Sequence, residues 1–172
     1  MAAKLFMVYL GGTAQGANIE LHDVRLVVGE TIEDTIPQLK QQWFGLQKNL
    51  HIDSYVEVHH VDGYRIVLSE QPRQSQQHLY FVNLGGYQPQ LMAEQHAFTL
   101  VVAESTEQAK QKAKQKLLPA QAFEQPHKDN LHAVDDCLAV DLLESYAVEL
   151  HHDGIEQALV PDWFGYRVIA GR

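Results

Sequence analysis

LFMVYLGG at residues 5–12 and LYFVNLGG at residues 79–86 are one segment written twice. A shift of 74 residues relates them, and it runs without a gap for almost 40 positions. It lays ELHDVRLVVGET (20–31) over EQHAFTLVVAES (94–105). The matches include Gly11 with Gly85, Gly12 with Gly86, Glu20 with Glu94, His22 with His96, and Leu26-Val27-Val28 with Leu100-Val101-Val102. Further on the shift becomes 82 and places DSYVEVHHVDGYRIVL (53–68) over DDCLAVDLLESYAVEL (135–150). The added residues fall around 119–130, a polar stretch with two prolines that reads as a surface-loop insertion. The chain is therefore a tandem duplication of one supersecondary unit.

Each copy reads strand, strand, helix, strand, strand. The apolar run Leu5–Leu10 predicts a buried strand. Gly11, Gly12 and residues 13–19 read as a turn. Glu20–Val28 predicts a second strand with Glu20, His22, Val24, Leu26 and Val28 on one face. Thr31 reads as a helix N-cap, with Glu33 and Asp34 in the first turn suiting the helix dipole. Ile32, Ile36, Leu39 and Trp43 form a helical stripe, and Pro37 predicts a kink or a later start. Gly45 reads as the stop. His51–His59 and Tyr64–Leu68 are expected to form a hairpin around residues 60–63. In the second copy Ser105 caps a helix that buries Ala109, Ala113 and Leu117 and ends at Pro119, and Lys110, Lys112, Lys114 and Lys116 form a solvated face.

The expected fold is α+β: an antiparallel-rich sheet with two helices on one face. Its expected organisation is a first repeat at 1–69, a linker at 70–77, a second repeat at 78–150 and an extension at 151–172. Within the extension, Tyr166–Ala170 reads as a terminal strand, and Trp163 and Phe164 as a cover for apolar surface. Packing of the two copies would close sheet edges that otherwise invite aggregation.

Composition narrows the function. With 172 residues, 45% hydrophobic and 20% charged, the chain is ordinary for a globular protein. A net charge of −9 argues against nucleic acid and anionic membrane surfaces, both of which need clustered Lys and Arg. Leu5–Leu10 is shorter than a signal-peptide core, about 7–15 residues. No segment approaches the ~20 apolar residues of a membrane span. The single cysteine, Cys137, makes no internal disulfide and reads as a packed, reduced thiol, in keeping with a cytoplasmic setting.

The strand ending in Gly-Gly, the Glu20-Leu-His22 and Glu94-Gln-His96 pairs, the VVGE and VVAE strand ends, LHID at 50–53 and DGYR at 62–65 together form a pattern. It resembles the bacterial domain-of-unknown-function family numbered 1543, present in two tandem copies. The likeness is strong over 4–69. It is weaker over 78–150, where Glu144-Ser145 stands in place of Asp62-Gly63. The resemblance implies the duplicated fold and implies no chemistry.

Chain geometry predicts where a site would lie. With the first two strands antiparallel and the helix returning the chain, the Gly-Gly corner, the start of the second strand and the start of the third share one rim. In the first copy that rim gathers Gly11, Gly12, Glu20, His22, His51 and Asp53. In the second it gathers Gly85, Gly86, Glu94, His96, His132 and Asp135. A carboxylate two residues from a histidine on a strand points the same way and fixes or charges the imidazole. Glu20 and His22, or Glu94 and His96, are also chemically able to ligate a divalent metal, although no zinc signature is present and a structural hydrogen bond explains each pair more simply. There is no P-loop, dinucleotide fingerprint or nucleophile elbow. The sequence reads as a non-enzymatic binding or interaction module without a cofactor, partnered by itself as a homo-oligomer or by another protein. The alternative is a metal-dependent or acid–base enzyme on a small molecule, using the Glu-x-His pairs.

Overall fold

The computed structural model describes residues 2–71, 75–117, 125–126, 137–143 and 145–170. In chain order the elements are β1 (Lys4–Gly12), β2 (Leu21–Gly29), a 3-10 turn (Glu33–Thr35), α1 (Ile36–Gln42), β3 (His51–Glu57), β4 (His60–Val61) and β5 (Tyr64–Ser69). They continue with β6 (His78–Tyr87), β7 (Gln95–Ala103), α2 (Thr106–Leu117), β8 (Gln125–Pro126), β9 (Cys137–Ala139), β10 (Leu142–Leu143), β11 (Tyr146–His152) and β12 (Trp163–Val168). Two compact units result. The first comprises Met1–His60, Leu143–Tyr146 and Gln157–Arg172; the second comprises Val61–Leu142 and Ala147–Glu156. Among the described residues no helix is long and apolar enough to cross a membrane.

Duplication is visible in the hydrogen-bond register. β1 pairs antiparallel with β2 from Lys4↔Gly29 to Gly12↔Leu21, and β6 pairs with β7 from His78↔Ala103 to Gly86↔Gln95, the same register moved by the repeat. Val8↔Tyr55 between β1 and β3 is matched by Val82↔Cys137 between β6 and β9.

The final strand of each copy departs from the expected hairpin. β3 has β1 on one side and β12 on the other, so it has no edge left for β5. Within the second unit β5 pairs antiparallel with β11, its own counterpart in the repeat. Val67 faces Glu149, while Leu68↔Val148 and Ile66↔Leu150 flank that pair symmetrically. The strands thus divide among three sheets, β12-β3-β1-β2, β10-β11-β5-β4 and β7-β6-β8 with β9 also on β6, in place of the single sheet expected.

Each helix packs on a sheet of its own unit. In the first unit, Phe6, Val8 and Leu10 of β1 meet Val27, Ile32, Leu39, Trp43, Leu50, Ile52, Ile169 and Ala170. In the second, Tyr80 and Val82 of β6 meet Val101, Ala103, Ala109, Ala113 and Cys137. Helix α1 starts late, at Ile36, with Pro37 in the first turn where its missing N–H costs nothing. Thr31 is not a backbone cap. Its N–H and hydroxyl both donate to Asp34 Oδ2, at 2.9 and 2.7 Å. Ser105 does cap α2, accepting from the Gln108 N–H.

Two of the α2 lysines are not merely solvated. Lys112 Nζ donates to the Val102 carbonyl and Lys116 Nζ to the Leu100 carbonyl, while Lys116 also pairs with Asp62. Asp62 Oδ2 accepts the Val102 N–H at 2.8 Å. In the first copy the equivalent Val28 gives its N–H to Gln38 Oε1 and accepts from Gln38 Nε2, at 3.1 and 2.6 Å. Side chains therefore close the outer edges of both β2 and β7.

Candidate functional site

Alternation along β1 sends Phe6, Val8 and Leu10 towards α1 and leaves Tyr9 and Gly11 on the opposite, far face. Gly11 faces His22 across β2 and His51 across β3. The β1–β3 register slips between Tyr9↔Ser54 and Leu10↔Ile52, which makes Asp53 the extra residue of a β-bulge. A bulge re-aims the side chain it carries, and here Asp53 joins His22 and His51 on the far face.

Gly11 and Gly12 are strand residues, not the turn read from the sequence. Each lacks a side chain where a ring must pass. A Cβ on Gly11 would collide with His51 Nε2 and lie 2.9 Å from Asp53 Oδ2; a Cβ on Gly12 would lie 2.8 Å from Trp43 Cζ2 on the helix side. The doubled glycine serves both faces of the sheet.

His51 is the centre of the cluster, only 1% exposed. Its Nδ1 lies 2.7 Å from the Asn49 carbonyl. A carbonyl can only accept, so Nδ1 carries a proton and Nε2 is the atom presented to the carboxylates. Nε2 lies 2.9 Å from Glu20 Oε1 and 3.3 Å from Asp53 Oδ1. The other Asp53 oxygen is 3.3 Å from His22 Nε2, yet it is buried and makes no hydrogen bond. Tyr9 stacks on His22 with centroids 5.3 Å apart, and Tyr166 of β12 lies over His51 at 4.0 Å.

The structure thus brings Gly11, Glu20, His22, His51 and Asp53 together, with Gly12 behind them. The partners differ from those the spacing suggested: Glu20 reaches His51, and His22 reaches Asp53. Three contributors escaped the sequence reading. Tyr9 lay within an apolar run, Asn49 acts through its backbone carbonyl, and Tyr166 comes from the unrepeated extension. Tyr9 was open to detection, because it is the one polar side chain in that run.

Burial raises the Tyr9 phenol above its ordinary value of 10.0, and the negative charges of Asp53 and Asp23 add to the effect. The folded state therefore holds this proton more tightly than the unfolded chain. Its contribution to stability is complete below pH 10 and is lost as pH rises through the raised value. Between pH 9 and pH 12, urea unfolding should show a steeper loss of stability for the wild type than for Tyr9→Phe; equal slopes would contradict this.

Among the described residues the second copy keeps the frame but not the cluster. Gly85 faces His96, and the Glu94 carboxylate folds into the space above Gly85. Glu94 Oε2 is 4.0 Å from His96 Nε2, and Asn83, at the position of Tyr9, contacts His96 Nδ1 at 3.2 Å. Gly86 pairs with Gln95 and Pro126. His132 and Asp135 lie outside the described residues, and the sequence position equivalent to His51 is Ala133. Among the described residues no group of three or more His, Cys, Asp or Glu side chains is arranged to hold a metal ion. In the first copy these groups instead face one another.

The model of the family described as Domain of Unknown Function (DUF1543) matches residues 17–68 and 91–144, one segment in each copy. The chain belongs to the DUF1543 family. The first matched segment contains Glu20, His22, His51 and Asp53, while Gly11 and the Tyr166 strand lie outside it. A crystal structure of protein Il1583 from Idiomarina loihiensis is similar to this DUF1543 chain, with 45% identity, a TM-score of 0.76 and 97% of each chain covered. No curated protein matches.

Proposed function

We propose that this DUF1543 chain is a binding module whose site is the His51 cluster and whose ligand is a small organic amine. The supporting observation is Asp53 Oδ2, a buried acceptor with no hydrogen bond. Leaving such an atom unmet costs about 1–3 kcal/mol, which a ligand N–H would recover. A quarter of the Asp53 side chain is open to solvent, while Oδ2 itself is covered, so a ligand N–H reaches it by displacing the His22 ring 3.3 Å away. Glu20 adds a second carboxylate, and the rings of Tyr9 and Tyr166 add π faces that attract a cation. Among the described residues only the first copy carries this set, and the expected stoichiometry is one ligand per chain. The single reduced thiol, Cys137, suits the cytoplasm.

Calorimetry with a series of alkyl amines and their matched alcohols tests this. Amines should bind at one site and alcohols should not, and Asp53→Asn should weaken amine binding at least about tenfold, or 1.4 kcal/mol. Equal heats from both series, or an unaffected Asp53→Asn variant, would refute it. One observation favours a second reading, acid–base catalysis on a small molecule: the buried imidazole of His51 is anchored at Nδ1 and faces a carboxylate at Nε2. That reading requires turnover which His51→Gln abolishes while binding survives.

A further inference from the structure

Strand β12 is the outer strand of its sheet, and among the described residues no strand pairs with its outer edge. Open edges offer unpaired N–H and C=O groups, and monomeric proteins blunt them with charge, proline or covering side chains. The outer strands β2 and β7 are treated in this way by Gln38 and by Asp62 with Lys112. β12 is not. Its sequence, WFGYRV at 163–168, has no proline and a single charge, Arg167. That guanidinium turns to the helix side, where Nη2 meets Glu33 Oε1 at 2.9 Å. The far side instead carries Phe164, Tyr166 and Val168 at 80%, 62% and 46% exposure.

We propose that β12 is an interface with a second copy of this chain, the two β12 strands pairing antiparallel across a two-fold axis. Charge identifies the occupant. Two chains of net charge −9 repel over most of their surfaces. β12 bears no acid, and its one cation is already matched by Glu33, so it is a neutral stripe along which two copies meet without opposed like charges. A basic partner would find no carboxylate on the strand to pair with. A two-fold interface uses one patch twice, so the patch must complement itself. An axis normal to the sheet places Phe164, Tyr166 and Val168 of both copies on the same face, where cross-strand aromatic and β-branched pairs are stabilising. Because Tyr166 lies on His51, the dimer would extend the wall of the cluster.

Sedimentation velocity on the full chain, over a range of concentration and salt, tests the proposal. A reversible dimer is expected, and it should tighten as salt screens the repulsion. Phe164→Glu and, separately, Val168→Glu should raise the dimer Kd at least about tenfold. Both side chains are exposed, so the thermal midpoint of the dilute protein should stay within a few degrees of the wild type. A monomer under all conditions would overturn the proposal, as would a dimer indifferent to both substitutions.

Discussion

Gly11→Ala should lower stability by about 1–3 kcal/mol, the range for forcing an extra methyl group into a packed site. For a chain of this size each kcal/mol lowers Tm by about 2–4 °C. The new Cβ has nowhere to go, because His51 Nε2 occupies its place and Asp53 Oδ2 is 2.9 Å away. His51 is held from behind by the Asn49 carbonyl and from above by Tyr166, so it cannot swing aside cheaply. Gly16→Ala is the contrasting case, backbone strain without a collision, since Gly11 is a strand residue with no positive φ. Gly16 has φ +81 with open space around it, so its cost is conformational, about 1 kcal/mol. A double-mutant cycle then assigns the collision. In a His51→Ala background most of the Gly11→Ala penalty should vanish, since the two sites share one volume. An unchanged penalty there would show that the imidazole is not what excludes the methyl group.

What could be read from the sequence followed from periodicity and covalent reach. The repeat gave the antiparallel β1–β2 pair twice and put Gly11 and His22 on one rim, while the register that sets them opposite each other came from the structure. The rim that gathers His51 and Asp53 followed from the direction of three successive elements. The destination of β5 did not follow. A period of two tells which side of a strand faces a core, but the partner at its edge is chosen by backbone hydrogen bonds that carry no residue code. β3 was expected to take β5, yet β12 from the unrepeated extension took that edge, and β5 turned to β11. The same limit hid Asn49, whose contribution is a carbonyl, and Asp53's placement by a bulge. The Gly-Gly pair was read through its usual role in turns. Its work here is steric, and steric roles become visible only when the neighbouring rings are placed.

Asp62→Ala should cost about 2–4 kcal/mol by summing two separate losses. Its carboxylate accepts the N–H of Val102, a fully buried residue, and pairs with Lys116. Removing it leaves a buried donor unmet, at about 1–3 kcal/mol. The second loss is conformational. Asp62 and Gly63 have φ of 53° and 78°, the positive pair that a type I′ hairpin turn requires, and alanine tolerates such a φ less well by about 1 kcal/mol. Asp62→Asn separates the two, since asparagine keeps the turn and an acceptor oxygen and loses only the charge. The expected order of stability is wild type, then Asn, then Ala. Native-state hydrogen exchange should locate the damage, with the Val102 amide of Asp62→Ala exchanging faster than its strand neighbours. The first copy offers a parallel experiment. Gln38→Ala strips both partners from Val28, whereas Gln38→Lys installs the residue that copy two uses at this position and restores the carbonyl partner alone. If edge closure matters as argued, Gln38→Lys falls between wild type and Gln38→Ala. If all three unfold at the same urea concentration, the side chains guarding β2 and β7 contribute nothing, and the contrast with β12, whose outer edge no side chain covers among the described residues, loses its force.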